Sequence, residues 1–98
     1  MRFIEIKAAL KDKAIVKSKS KATREKLIYL VIDILDNPRD KHTVGNPEQL
    51  KHTEKELWSR ELTKKDRIVY GIEPGENYGM PDEEIIVFYQ YLGHYADK

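Results

Sequence analysis

LWSRELTKKDRIVYGI, residues 57–72, divides into two strand-forming runs, LWSREL and RIVYGI, around the polar break TKKD. Four residues are enough for a hairpin, and the flanking runs carry the β-branched and aromatic side chains that suit a pleated surface. Within the first run, strand alternation puts Trp58, Arg60 and Leu62 on one face. A third run, EEIIVFYQYL (83–92), is apolar on both faces, as expected of a central strand. If that strand runs far enough, Gln90, Leu92 and His94 share a face. Between the second and third runs EPGENYGMPD (73–82) reads as a long exposed loop, because Gly, Pro and Asn break both helix and strand.

Toward the amino terminus, RFIEIK (2–7) alternates as a short strand. From Ala8 to about Ser18, Leu10, Ala14 and Val16 among charged residues predict a helix, and SKSK (18–21) breaks it. Residues 22–36 are ambiguous by composition, since YLVIDIL is β-branched enough for a strand. Their apolar positions Leu27, Leu30, Val31, Ile34 and Leu35 nonetheless follow a buried helical face, and the segment is long for a strand. Asn37-Pro38 ends it, because the residue before proline is pushed out of the α region. PRDKHTVGNP (38–47) is a loop. The order predicts an α+β fold: an antiparallel sheet of about four strands with two N-terminal helices packed on one face. The opposite face is then left for function.

The chain has 98 residues, enough for a single domain with one hydrophobic core. It has no cysteine, which excludes disulfides and thiolate metal sites. MRFIEIKAALKDK lacks the apolar core of a signal peptide, and LIYLVIDIL is about half of a membrane span. These features predict a soluble, cytoplasmic protein with no membrane partner. The net charge of +1 conceals an asymmetry: residues 1–30 hold nine Lys/Arg and three Asp/Glu, while residues 31–98 hold nine and fourteen. A basic N-terminal face admits a phosphate backbone as partner, and equally describes a solvated helix.

GNPEQLKH (45–52) packs Glu48, Lys51 and His52 behind a Gly-Asn-Pro break. Arg60 and Arg67 flank the TKKD turn, and His94 and Tyr95 follow Gly93. A base, an acid and guanidinium groups are what cleavage of RNA by its own 2′-hydroxyl requires: one group removes the hydroxyl proton, one stabilises charge on the phosphoryl oxygens, one protonates the departing 5′-oxygen. That chemistry needs no metal or other cofactor. Each piece alone also has an ordinary reading. Glu48 and Lys51 suit a helical surface pair, the two arginines suit exposed cross-strand contacts, His94 suits a solvated tail, and Trp58 suits the core.

Taken in order, NPEQLKH, LWSR, DRIVY and GHY resemble the YoeB (Txe) branch of the RelE superfamily of bacterial toxins, over about Asn46 to Tyr95. The resemblance implies a RelE-like microbial ribonuclease fold and a toxin of a type II toxin–antitoxin module that cuts mRNA in the ribosomal A site. It implies a cognate, YefM-like antitoxin as partner, operator DNA bound only by the toxin–antitoxin complex, and leaves a homodimer open. By similarity Glu48 matches the general base, Arg67 the transition-state cation, His94 the general acid, and Tyr95 a residue that places the scissile nucleotide. Lys51 and Arg60 match phosphate-gripping residues, and Trp58 and Tyr70 structural ones. His52 is a further RNA-binding candidate, with a structural role open beside it.

Three positions depart from the family pattern. Glu61 stands where an arginine often follows WSR, and its face, opposite to Arg60, implies a lost RNA or ribosome contact with the chemistry intact. The acidic 73–82 loop is longer than usual and bears on docking of antitoxin or ribosome. Asp66 replaces a histidine before Arg67, with strand alternation turning it away from the site.

Overall fold

The computed structural model describes residues 1–51 and 53–94. Its elements are β1 (Phe3–Glu5), α1 (Lys7–Val16), α2 (Lys21–Asp36), β2 (Glu48–Gln49), β3 (Glu56–Glu61), β4 (Arg67–Pro74), a 3-10 turn at Gly75–Tyr78, and β5 (Glu84–Gln90). Ser20 caps α2, its Oγ accepting the Thr23 N–H at 3.2 Å and satisfying one of the orphan donors of the first turn. The apolar stripe lands as its spacing requires, with Leu27, Leu30 and Ile34 buried and Val31 and Leu35 packed beside them. In α1 the inward positions are Ala9 and Val16, whereas Leu10 is half exposed. The helix leaves β1 directly, so the strand sets its rotation, and the rotation differs from the predicted one.

The sheet has five strands in the order β1-β5-β4-β3-β2. The β3–β4 and β4–β5 pairs are antiparallel, as the turns predict, with Glu61 opposite Arg67 across the TKKD hairpin. The first strand instead runs parallel to the last, Phe3 beside Ile86 and Glu5 beside Phe88. The sheet is therefore mixed, where the sequence predicts an antiparallel one of about four strands. A parallel pair needs a crossover, which the two helices supply, and no local pattern records it. The other addition, β2, is two exposed residues long and has no periodicity to detect.

Both helices cover one face. Trp58 and Leu62 of the first hairpin strand, Ile68, Tyr70 and Ile72 of the second, and Ile86 and Phe88 of β5 form one core with Ala9, Leu27, Leu30 and Ile34. Arg60 lies in this layer, fully buried. Its Nη1 donates to Asp33 Oδ2 on α2 and to Val44 O at 3.2 Å, and its Nη2 donates to Asn37 O at 2.8 Å. Thr43 Oγ1 completes the cluster by donating to Asp33 Oδ2 at 2.8 Å. Tyr70 adds a bond from its hydroxyl to Pro38 O at 2.7 Å, so the 37–45 loop is fastened to the sheet from beneath. The loop closes at Gly45, whose φ of +84° and close approach to Leu30 and Arg60 leave no room for a Cβ.

The register shifts between Val69 and Tyr70, which pair with Gln90 and Phe88 and leave Tyr89 as the extra residue of a β-bulge. The strand ends at Gln90, short of the predicted 92, and residues 91–93 bend away. Strand parity therefore does not connect Gln90, Leu92 and His94.

Burial by itself would raise the Asp33 carboxyl, but hydrogen bonds from Arg60, Thr43 and Asn37 outweigh it and hold the group below its ordinary value of 3.8. A depressed folded pKa contributes stability above the unfolded value and loses it as pH falls through the folded one. Asp33→Asn should cost about 3–5 kcal/mol at neutral pH, because Arg60 is left buried without its counter-charge. Urea titrations should find the gap between variant and wild type constant at neutral pH and closing only in acid, below about pH 4. A gap that already closes near pH 6 would contradict the assignment.

Candidate functional site

The face away from the helices carries the polar groups. Pairing of β2 with β3 sets Glu48 opposite Ser59, and the hairpin sets Arg67 opposite Glu61, so all four side chains share that face. Arg67 is the centre of the group. Its Nε donates to Ser59 Oγ at 3.0 Å and its Nη2 donates to Asn46 O at 3.2 Å. Glu48 Oε2 lies 3.7 Å from Nη2, and Glu61 Oε2 lies 3.9 Å from Nη1. The serine and the Asn46 carbonyl aim the guanidinium, while the two carboxylates bracket it loosely. Glu48 is largely exposed, so its ion pair contributes well under about 1 kcal/mol. A phosphate accepting two parallel N–H bonds is a stronger partner than either carboxylate as held here.

The route to Glu48 differs from the expected one. Gly45 and Asn46 both have positive φ, and after Pro47 the chain enters an edge strand rather than a helix. Leu50 N–H continues this ladder to Leu57 O at 2.8 Å. The helical pairing of Glu48 with Lys51 is thus corrected, because the open edge of β3 captures the segment first. Lys51 is exposed beside Glu48 in a shallow cleft that Lys41 and Pro47 also line.

His94 is exposed and stands one residue beyond Gly93, whose carbonyl accepts the Arg67 N–H at 2.9 Å. Gln90 Nε2 donates to Arg67 O at 3.1 Å. The chain therefore leaves the sheet alongside Arg67, and His94 follows from that point. Tyr95 and His52, both singled out in the sequence, lie outside the described residues.

Arg60 requires a correction. With its side chain fully buried against Asp33 and two loop carbonyls, it cannot grip a phosphate without opening the core. The hairpin separates the two arginines onto opposite faces, Arg60 inward and Arg67 outward. Glu61 is the converse case. The sequence places it away from Arg60, and that is the face where Arg67 stands, so the residue flanks the cation instead of a remote contact surface. Ser59 and Glu61 were not among the candidates, although the parity of LWSREL and the register set by TKKD contain the signal.

The 73–82 segment is mostly exposed, as its composition predicts, except where the end of β4 runs into it. Glu73 is buried, accepting from Tyr78 Oη at 2.8 Å and from Tyr89 Oη, with Lys55 Nζ 4.0 Å away. Burial, and then Glu73, push both tyrosines up to about 12. Among the described residues no group of three or more His, Asp or Glu is arranged to hold a metal ion, and no helix is long and apolar enough to cross a membrane.

The family model for the YoeB-like toxin of bacterial type II toxin-antitoxin system matches residues 6–95. The chain belongs to this family. Solved YoeB structures share its fold. A YoeB/ParE toxin from Agrobacterium tumefaciens superposes with a TM-score of 0.78 at 24% identity, covering 97% of this chain and 100% of the other. A YoeB dimer from Staphylococcus aureus gives 0.74 at 22%, covering 97% and 98%. A heterotetrameric YoeB–YefM complex from the same organism gives 0.72 at 21%, again over 97% and 98%. A sequence search of curated proteins found no match. In the YoeB-like fold of this chain, two helices and a five-stranded mixed sheet leave one polar sheet face around Arg67.

Glu61 adds a negative charge where an anionic ligand would dock. At 4 Å in water one unit charge is worth about 1 kcal/mol, and salt screens it. Glu61→Gln should therefore tighten binding of a short oligoribonucleotide by about 2–5-fold at low ionic strength, with the gain fading as salt is raised. Fluorescence anisotropy across a salt series reads this directly. Equal affinities at every salt concentration would show that Glu61 does not compete for the cation.

Proposed function

We propose that this toxin is a ribosome-dependent endoribonuclease that cleaves mRNA in the A site and thereby stops translation. The observation that carries the reading is Arg67, aimed by Ser59 and Asn46 O, with Glu48 at 3.7 Å and the segment leading to His94 bonded to its backbone. Glu48 takes the proton from the 2′-hydroxyl, and the freed oxygen attacks phosphorus. Arg67 offsets the charge that grows on the phosphoryl oxygens. The bond to the 5′-oxygen breaks as His94 protonates it, leaving a 2′,3′-cyclic phosphate and a 5′-hydroxyl. Lys51 holds a neighbouring phosphate, and Tyr95 and His52 contribute contacts to the RNA. Every step uses side chains of the chain itself, and none calls for a metal ion.

The ribosome supplies what the isolated site lacks. With two carboxylates around one cation the described cleft is poorly charged for capturing free RNA, so presentation of the message at high local concentration favours the reaction. The partner that restrains the toxin is a cognate antitoxin, as in the S. aureus YoeB–YefM complex. An apolar groove between β1 and α2, lined by Phe3, Leu27, Ile28, Val31 and Tyr91, supports such docking, with Ile28 and Ile32 more than half exposed. The toxin acts in the cytoplasm, where its message is translated, and operator DNA is engaged only together with the antitoxin. Self-association into a homodimer, as in the S. aureus YoeB dimer, belongs to the same proposal.

Glu61 beside Arg67 favours one competing reading, a weakened enzyme that acts mainly with its antitoxin in repression of the operon. Expression without antitoxin separates the two. A ribonuclease should arrest growth and halt synthesis in a translating extract, and Glu48→Ala, Arg67→Ala and His94→Ala should each slow mRNA cleavage by about 10²–10⁴-fold. Tolerated expression of the wild type would favour the repressor, and equal inhibition by wild type and variants would refute the assigned roles.

A further inference from the structure

Beyond the end of β5 three consecutive backbone N–H groups are taken up by two carboxylates from distant parts of the chain. Asp12 Oδ2, on α1, accepts from Tyr91 at 3.0 Å and from Leu92 at 3.2 Å. Asp66 Oδ1, in the hairpin turn, accepts from Gly93 at 2.9 Å. The other oxygen of Asp66 accepts from Thr63 Oγ1 at 3.1 Å, and Thr63 Oγ1 in turn accepts the Asp66 N–H at 3.0 Å, so the carboxylate is itself held in place. Both acids are half-buried. Opposite them, Gly93 O accepts the Arg67 N–H at 2.9 Å.

We propose that Asp12 and Asp66 form a carboxylate clamp that fixes residues 91–93 and so positions His94 beside Arg67. The proposal rests on the ribonuclease reading for the role of His94. The physical need is plain. One residue past the bulge at Tyr89, at Gln90, the strand ladder stops, and Gly93, with a φ of +104°, has no Cβ to restrict its backbone where the chain is unclamped. A general acid must stand within hydrogen-bond reach of the leaving oxygen, and a flexible glycine immediately before it works against that. Charged acceptors on successive N–H groups make stronger bonds than neutral ones, and they come from two elements whose positions the core fixes. Asp66, which strand alternation turns away from Arg67, ties the hairpin turn to the chain end.

The test compares full-length wild type with Asp66→Ala, Asp66→Asn, Asp12→Ala, His94→Ala and the double variant Asp66→Ala/His94→Ala in cleavage of ribosome-bound mRNA. Exchange of the Gly93 amide is followed by NMR on the same proteins. Asp66→Ala should lower kcat by about 10–100-fold with KM unchanged, the size expected of a misplaced group. It should also speed Gly93 amide exchange while the β4 amides stay protected. Asp66→Asn, whose side-chain carbonyl still accepts the Gly93 N–H, should recover most of the activity. Adding Asp66→Ala to His94→Ala should cost nothing further. Should Asp66→Ala unfold, Asp12→Ala carries the comparison, with the Tyr91 and Leu92 amides as the exchange readout and the same dependence of the kcat loss on His94. Equal losses with and without His94, a change in KM alone, or unaltered Gly93 exchange would overturn the clamp while leaving the ribonuclease reading intact. Activity that is absent, or indifferent to His94, would refute the ribonuclease reading and the positioning role with it.

Discussion

The fold depends on a buried ion pair. Arg60 points from the sheet into the helical layer, where Nη1 and Nη2 meet Asp33 and the Asn37 and Val44 carbonyls and Nε is buried without a hydrogen-bond partner among the described residues. A charge so deeply placed needs a counter-charge and further acceptors, and here Asp33 of α2 supplies the first while carbonyls of the loop that leads to the site supply the second. The same side chain that would otherwise be a liability in the core decides where Gly45 and Asn46 lie. From there Asn46 O reaches Arg67, and Glu48 joins the edge of β3. Core and site are thus two ends of one chain of contacts.

The opposite face is ordered by alternation. One residue after Arg60 the strand presents Glu61 outward, and the hairpin brings Arg67 directly across. The resemblance turns both arginines of this stretch toward phosphate, Arg60 to grip it and Arg67 as the transition-state cation. Physically they are two populations, one arginine neutralised in the core and one left to meet an anion. The electrostatic character of the cleft follows from the second population and from the two glutamates that flank it.

Much of the architecture was legible beforehand. The 3.6-residue stripe of α2, the hairpin around TKKD and the both-faces-apolar run of β5 are local signals, and each element formed close to its expected limits. The family motifs likewise named Glu48, Arg67 and His94, of which the first two meet at one guanidinium and the third follows a residue bonded to Arg67's backbone. What failed was of another kind. The exposed Leu10, the edge strand at Glu48–Gln49, the bulge at Tyr89 and the interior destination of Arg60 all depend on how elements dock, and sequence spacing carries no record of docking.

The amino-acid sequence by itself determined the α+β class, the helical and hairpin segments and the family, because period, turn chemistry and ordered motifs are properties of neighbouring residues. Only the tertiary structure decided that the first strand lies parallel to the last, that Arg60 is sealed against Asp33 while Arg67 faces outward, and that Asp12 and Asp66 catch the chain before His94. Those contacts join positions up to about eighty residues apart. They form where burying charge and pairing backbone amides cost least in the assembled fold, a balance that no single segment contains.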